Sequence, residues 1–302
     1  MILFSTQTYT TLKSKLLPIT AALEDGQLET KYFPDGEIYH RIITNIQNKD
    51  VAILGGTTSD TATLELFDIA EGCAQFGANS ITIIIPYFGY STMERAVHAG
   101  EIVKARNRAL LFSAIPAANN NTKVLLFDLH SEGIPYYFDS NVRTKHVYCK
   151  DVIMEAAREL AGEEFVLAAT DAGRAKWVES LAEEMNVQAA FVYKNRISGD
   201  ATSITGINAD VASKKVVIYD DMIRTGGSLM QAAEQYKNKG ASEIFVITTH
   251  GLFTNNALDK IAKQGIIQKV VCTDSHSNVN EIQHPILTVK SIASLIVKQL
   301  ID

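Results

Sequence analysis

Residues 216–229, "VVIYDDMIRTGGSL", place two adjacent carboxylates, Asp220 and Asp221, just before a Thr-Gly-Gly-Ser turn and a helical pattern. Gly226 and Gly227 let the backbone come close to a ligand, Thr225 and Ser228 add hydroxyl donors, and the first N–H groups of the next helix point at an anion. The turn reads as a phosphate cradle. It lacks the GxxxxGK[ST] spacing, so it is not a Walker A loop. An ionised carboxylate can only accept hydrogen bonds; beside a cradle the two acids would repel phosphate but suit the vicinal hydroxyls of a sugar. The set fits a ribose bearing a 5-phosphate, while the dipeptide alone also fits an Asx-type turn that caps a helix.

Such a loop needs a strand behind it and a helix after it. Short apolar runs recur at 50–56, 80–89, 123–130, 164–170, 188–194, 215–221, 243–251 and 269–275, and read as buried, largely parallel strands. Between them, "TATLELFDIAEGCAQFG", "KDVIMEAARELAG", "RAKWVESLAEEM", "SLMQAAEQYKNKG" and "TNNALDKIAKQG" carry helical periodicity, several closing on Gly. This alternation implies open α/β sheets with helices on both faces and ligands beyond the carboxyl ends of the strands. One core is not expected to organise so many strands, and 140–151 interrupts the pattern, so a boundary is expected near residue 146. The polar stretch 195–213 reads either as a mobile active-site flap or as an ordinary hairpin.

The 302 residues, 46% hydrophobic and 21% charged, are ordinary for a soluble globular protein. A formal charge of −6 argues against a nucleic-acid surface held by bulk electrostatics. Cys73, Cys149 and Cys272 are odd in number and far apart, which suggests neither a disulfide scaffold nor a zinc site. No stretch reaches the length of a membrane span and no leader pattern stands out, so a cytoplasmic protein is expected.

Acids followed by TGG resemble the phosphoribosyl-pyrophosphate motif of phosphoribosyltransferases and of ribose-phosphate diphosphokinases. "FPDGEIYHRI" (33–42), "IPYFGY" (85–90), "LLFDLHSEGIPYYFD" (125–139), "TDAG" (170–173), "KNR" (194–196) and "THGLF" (249–253) resemble the diphosphokinase pattern, in order, across nearly the whole chain. The resemblance implies two phosphoribosyltransferase-like (type I) domains, 1–146 and 147–302, each a mainly parallel sheet flanked by helices, with the last helix able to pack on the first domain. It implies transfer of the β,γ-diphosphate of ATP to the anomeric hydroxyl of a ribose phosphate, with Mg2+ neutralising charge and AMP released. It places His130 and Asp171 at the metal, and Phe33, Asp35 and Glu37 in an adenine loop. That loop reaches a neighbouring subunit's ATP site, so a homo-oligomer, dimer or hexamer, is implied. Lys194 and Arg196 match a basic pair that closes over ATP. Without the resemblance, FPDGE is a plain turn, His130 a structural histidine, and the two cations solvated charges.

The chain departs from the family pattern around the acceptor. Arg224 stands where an acid is usual, Arg174 where a glycine is, and Trp177 where a basic residue is common. Two arginines beside a phosphate cradle would accommodate a further phosphate, and a tryptophan a base, which points to ADP-ribose as well as to ribose 5-phosphate. Helix core and ion-pair repair are the plain alternatives for these residues. Thr92 and Met93 replace an Arg-Gln pair that touches ATP, although Arg95, Lys104 and Arg106 leave cations nearby. Three functions remain open on sequence: a diphosphokinase acting on ribose 5-phosphate or ADP-ribose, a phosphoribosyltransferase, and a catalytically silent regulatory paralog.

Overall fold

The computed structural model describes residues 1–116, 118, 122–170, 172–198 and 201–301, without the side chains of 172, 193–198 and 201–205. The chain divides into two units, one of Met1–Tyr148 with Ser275–Ser277 and Ile292–Asp302, the other of Cys149–Asp274 with Asn278–Ser291.

In the first unit the strands are β1 (Ile2–Ser5), β2 (Glu24–Asp25), β3 (Leu28–Tyr32), β4 (Ile38–Ile42), β5 (Asp50–Leu54), β6 (Ser80–Ile85), β7 (Thr122–Phe127) and β8 (Val142–Val147). Six of them form a parallel sheet in the order β2-β1-β5-β6-β7-β8, and β3 and β4 pair as a separate antiparallel hairpin. Helices α1 (Thr10–Leu16), α2 (Asp60–Gln75) and α3 (Lys104–Ser113) accompany the sheet. Phe4, Ile53, Leu66, Ile69, Ile83 and Phe112 form part of its buried core. Helix α2 starts where the Ser59 hydroxyl accepts the Ala62 N–H at 3.0 Å, a side-chain N-cap. Residues 275–277 join this unit through the Tyr9 hydroxyl, which donates to the Ser275 carbonyl at 2.7 Å, and through His276, whose ring meets Tyr87 at 4.7 Å.

The second unit contains α4 (Lys150–Ala161), β9 (Val166–Ala169), α5 (Ala175–Met185), β10 (Gln188–Ser198), β11 (Ala201–Ile207), β12 (Val216–Ile223), α6 (Gly227–Asn238), β13 (Ile244–Gly251), α7 (Ala257–Gln264), β14 (Ile267–Thr273) and β15 (Leu287–Lys290). Its sheet runs β11-β10-β9-β12-β13-β14-β15, parallel except for the β10–β11 hairpin. Strands β9 and β13 are buried along their whole length, as expected of a parallel sheet covered on both faces. The last helix, α8 (Ala293–Ile301), belongs to the first unit and packs on α1.

Several elements differ from the sequence-based expectation. Segment 140–151, read as an interruption, contains β8; its alternating VRTKHV is a half-exposed edge strand rather than an apolar run. The described part of the polar stretch after residue 194 pairs as the β10–β11 hairpin. Cys73, Cys149 and Cys272 are buried thiols. Among the described residues, no helix is long and apolar enough to cross a membrane.

Candidate functional site

In the second unit, β12 lies between β9 and β13, and its apolar run ends at the two acids. Gly226 follows with φ +76°, a left-handed backbone that glycine adopts without cost, and α6 begins at the next residue. A Cβ at Gly226 would also lie 3.3 Å from Ile261 Cδ1 on α7, so a larger residue there would be strained in its backbone and would press on Ile261. At Gly227 a Cβ would meet only Thr225 Oγ1 at 4.0 Å, which leaves that face of the loop open. Thr225 and Ser228 are exposed around it. The loop is braced from β13: the Leu252 and Phe253 N–H groups each donate to the Ile223 carbonyl at 3.0 Å, and the Thr254 N–H to the Arg224 carbonyl at 2.9 Å. Asn278 Nδ2 holds the Leu252 carbonyl at 2.7 Å. Together the left-handed glycine, the helix start and the braces make an arrangement suited to an anion.

The acids face different partners. Asp220 is partly exposed; its Oδ2 accepts the Thr170 hydroxyl at 3.1 Å and its Oδ1 accepts the Asp221 N–H at 3.0 Å. Thr170 follows β9, whose end is held by the Tyr236 hydroxyl donating to the Ala169 carbonyl at 2.9 Å. Asp221 is 2% exposed, and its Oδ2 lies 2.6 Å from Arg174 Nη2. Burial, then the neighbouring charge of Asp221, push the Asp220 carboxyl up to about 8. Burial opposes the Arg174 charge, but Asp221, Tyr219 and Asp220 outweigh it and raise that group above its ordinary value.

Arg174, expected as a second arginine at a ligand phosphate, has its guanidinium Nη2 engaged by Asp221. Arg224 is exposed on the loop itself. Trp177 is partly buried on α5, one turn beyond Arg174. Asp171 lies outside the described residues. Lys194 and Arg196 sit on β10 opposite Ile204 and Thr202, and their side chains lie outside the described residues. Thr170 is a site residue that sequence reasoning missed; only its place before Asp171 in "TDAG" could have drawn attention to it.

In the first unit, His130 is exposed just past β7. The turn carrying it is held at two points: the Asp128 N–H donates to the Val147 carbonyl at 3.0 Å, and the Leu129 N–H donates to His146 Nε2 at 2.9 Å. Asp128 is buried with φ +36°, a backbone that an acid adopts at some cost. Phe33, Asp35 and Glu37 form the tip of the β3–β4 hairpin, all exposed. The Phe33 N–H donates to the Glu37 carbonyl at 2.9 Å and the Glu37 N–H to Asp35 Oδ1 at 3.1 Å, so the turn has its own internal order.

Arg95 is largely exposed, with its Nε 3.5 Å from Glu94 Oε1. The cations that converge are instead Lys104 and Arg108, one turn apart on α3 and 4.8 and 4.9 Å from the Tyr90 ring centroid. Asp60 accepts both the Tyr90 hydroxyl at 2.8 Å and Arg108 Nη2 at 2.5 Å. Arg108 was not among the cations singled out from sequence; its i,i+4 spacing from Lys104 was the available signal.

Among the described residues, no three His, Cys, Asp or Glu side chains gather as a metal nest. Magnesium is commonly held by one or two protein groups and by substrate phosphates rather than by an all-protein cage. The sparse donors here, His130 among them, fit an ion carried on a triphosphate.

Residues 1–115 match the family model described as the N-terminal domain of ribose phosphate pyrophosphokinase, and residues 185–301 match that of the phosphoribosyl synthetase-associated domain. Ribose-phosphate pyrophosphokinase 2, chloroplastic, of Arabidopsis thaliana is 30% identical over 279 residues, covering 91% of this chain and 68% of that protein. The ribose-phosphate pyrophosphokinase of Synechococcus elongatus is 29% identical over 274 residues, covering 90% of this chain and 81% of that protein. The crystal structure of phosphoribosylpyrophosphate synthetase from Mycobacterium smegmatis superposes with a TM-score of 0.87 at 24% identity, covering 99% of this chain and 97% of that one, which establishes the shared fold. Two family models matched in order, and a relative aligned over most of both chains, establish that this chain belongs to the ribose-phosphate pyrophosphokinase family.

Proposed function

We propose that the protein is a Mg2+-dependent diphosphotransferase that moves the β,γ-diphosphate of ATP to the C1 hydroxyl of a 5-phosphorylated ribose and releases AMP. The observation that carries this reading is the cradle at Gly226–Gly227 directly beside Asp220 and Asp221, at the carboxyl end of a central parallel strand. The loop N–H groups and the start of α6 would take the 5-phosphate, and the acids would receive hydroxyls of the ribose. Fixing those two ends leaves the C1 hydroxyl as the group to be presented to the β-phosphorus. Its oxygen gives up its proton to water and forms the new P–O bond as the bond between the β-phosphorus and the α,β-bridging oxygen breaks, and that oxygen leaves with AMP.

Phe33 offers an aromatic face and Asp35 and Glu37 offer acceptors to adenine, across a subunit boundary in a homo-oligomer. His130 would lie at the metal-bearing phosphates, with Asp171 on the acceptor side. Magnesium, when bound, neutralises charge on the transferring diphosphate. Lys194 and Arg196 on β10 would add fixed positive charge and exclude water there. Lys104 and Arg108 supply cations in the segment where Thr92 and Met93 stand.

Ribose 5-phosphate is the smallest acceptor that fills the cradle and the acid pair. A second reading, ADP-ribose, is favoured by one observation: Arg224 is exposed on the cradle's own loop, where a guanidinium can reach a further phosphate. Arg174 does not add to it, because Asp221 holds its guanidinium. Both acceptors should be offered in parallel to the wild type and to Arg224→Asp, with the phosphorylated product identified by mass. Loss of ADP-ribose use alone in the variant assigns Arg224 to a second phosphate. An unchanged preference removes that reading and leaves ribose 5-phosphate.

A further inference from the structure

Two adjacent carboxylates beside an anion cradle are an electrostatic liability, since like charges repel each other and both repel the phosphate. A cation must offset them, and bound divalent ions are often the largest local charges at phosphate sites. Here the chain supplies a cation of its own. Arg174, arriving from the turn before α5, places Nη2 2.6 Å from Asp221 Oδ2, with side-chain exposures of 20% and 3%. Asp220, in turn, is hydrogen-bonded by the Thr170 hydroxyl and the Asp221 N–H. One guanidinium on Asp221, with a hydroxyl and an amide N–H donating to Asp220, offset the negative charge of the acid pair.

We propose that Arg174 is a built-in counter-cation at the acceptor end of the site, standing at Asp221 where a divalent ion would otherwise bind. The paired acids then need no metal of their own, and the fixed guanidinium positions Asp221 while lowering its repulsion of an incoming phosphate. A planar donor cannot be exchanged with solvent as a metal ion can, so this half of the site is pre-organised whatever the magnesium concentration.

The inference rests on the proposed function only in taking Asp220 and Asp221 as part of the acceptor site. It is tested without turnover, so an inactive protein would still give a readable result. Manganese binding to the full chain, free of nucleotide and sugar, is titrated by the electron paramagnetic resonance signal of unbound Mn2+. Arg174→Gly is expected to bind one more ion per chain than the wild type, and Arg174→Gly with Asp221→Asn to lose that extra ion. Equal stoichiometry in the wild type and Arg174→Gly overturns the proposal. So does a wild-type ion that disappears with Asp221→Asn alone. If Arg174→Gly does not fold, Arg174→Gln removes the charge while keeping most of the volume, and absence of the extra ion in that folded variant equally overturns it.

Discussion

Replacing Asp220 with Asn preserves the shape of the side chain and removes its proton equilibrium. In the unfolded chain this carboxyl ionises near its ordinary value of 3.8, while in the fold burial and the charge of Asp221 push it up to about 8. Between these values the folded state holds a proton that the unfolded state has lost. The resulting stabilisation is full below about pH 4 and declines as pH rises through about 8. The limiting slope is about 1.4 kcal/mol per pH unit. Water at a partly exposed carboxyl and coupling to Asp221 reduce it, giving a working value of about 0.5 kcal/mol per unit. Asp220→Asn is therefore expected to gain about 1 kcal/mol on the wild type between pH 6 and pH 8. Urea unfolding followed by the fluorescence of Trp177, the single tryptophan and a member of the same unit, reads this difference directly. Groups that titrate equally in both proteins cancel. A gap that stays constant from pH 6 to pH 8 would refute a raised Asp220 and mean that its carboxylate is ionised in the fold across this range.

Gly226→Ala forces an L-residue into φ +76° and a methyl to 3.3 Å from Ile261, so a loss of about 1–2 kcal/mol is expected, with a KM that rises for the acceptor and not for ATP. A KM unchanged for both would remove this backbone from the phosphate cradle. Lys194→Ala is expected to lower AMP release by about 100-fold at saturating substrates, and full activity would take Lys194 out of the transfer step. His130→Ala should raise the magnesium concentration needed for half-maximal AMP release; an identical titration curve would detach His130 from the metal-bearing phosphates.

Much of the site is legible in the sequence because local chemistry dictates it. An apolar β-branched run ending in acids, then TGGS, leaves few options besides strand, tight loop and helix start, and β12, Gly226 and α6 follow that order. What the linear chain conceals is adjacency. Thr170 and Arg174 reach the acid pair because β9 and β12 are neighbours in the sheet, a pairing that no sequence spacing encodes. The arginine that looks like a ligand donor from its neighbours in sequence is a partner of Asp221 once the sheet forms. Strand β8 escapes a pattern search because an edge strand alternates with polar residues, and β3 and β4 show only their turn, FPDGE, since the hairpin buries little. Arg108 emerges as a site neighbour only when α3 brings it over Tyr90 and onto Asp60.

Diphosphoryl transfer to a phosphorylated ribose is directly observable. The protein, ATP and magnesium should be incubated with ribose 5-phosphate or ADP-ribose and followed by phosphorus-31 NMR. AMP is expected in equal amount to a new sugar C1-diphosphate, with neither formed when the acceptor is omitted. Nucleotide binding without AMP, or ADP and free phosphate in place of AMP, would contradict it.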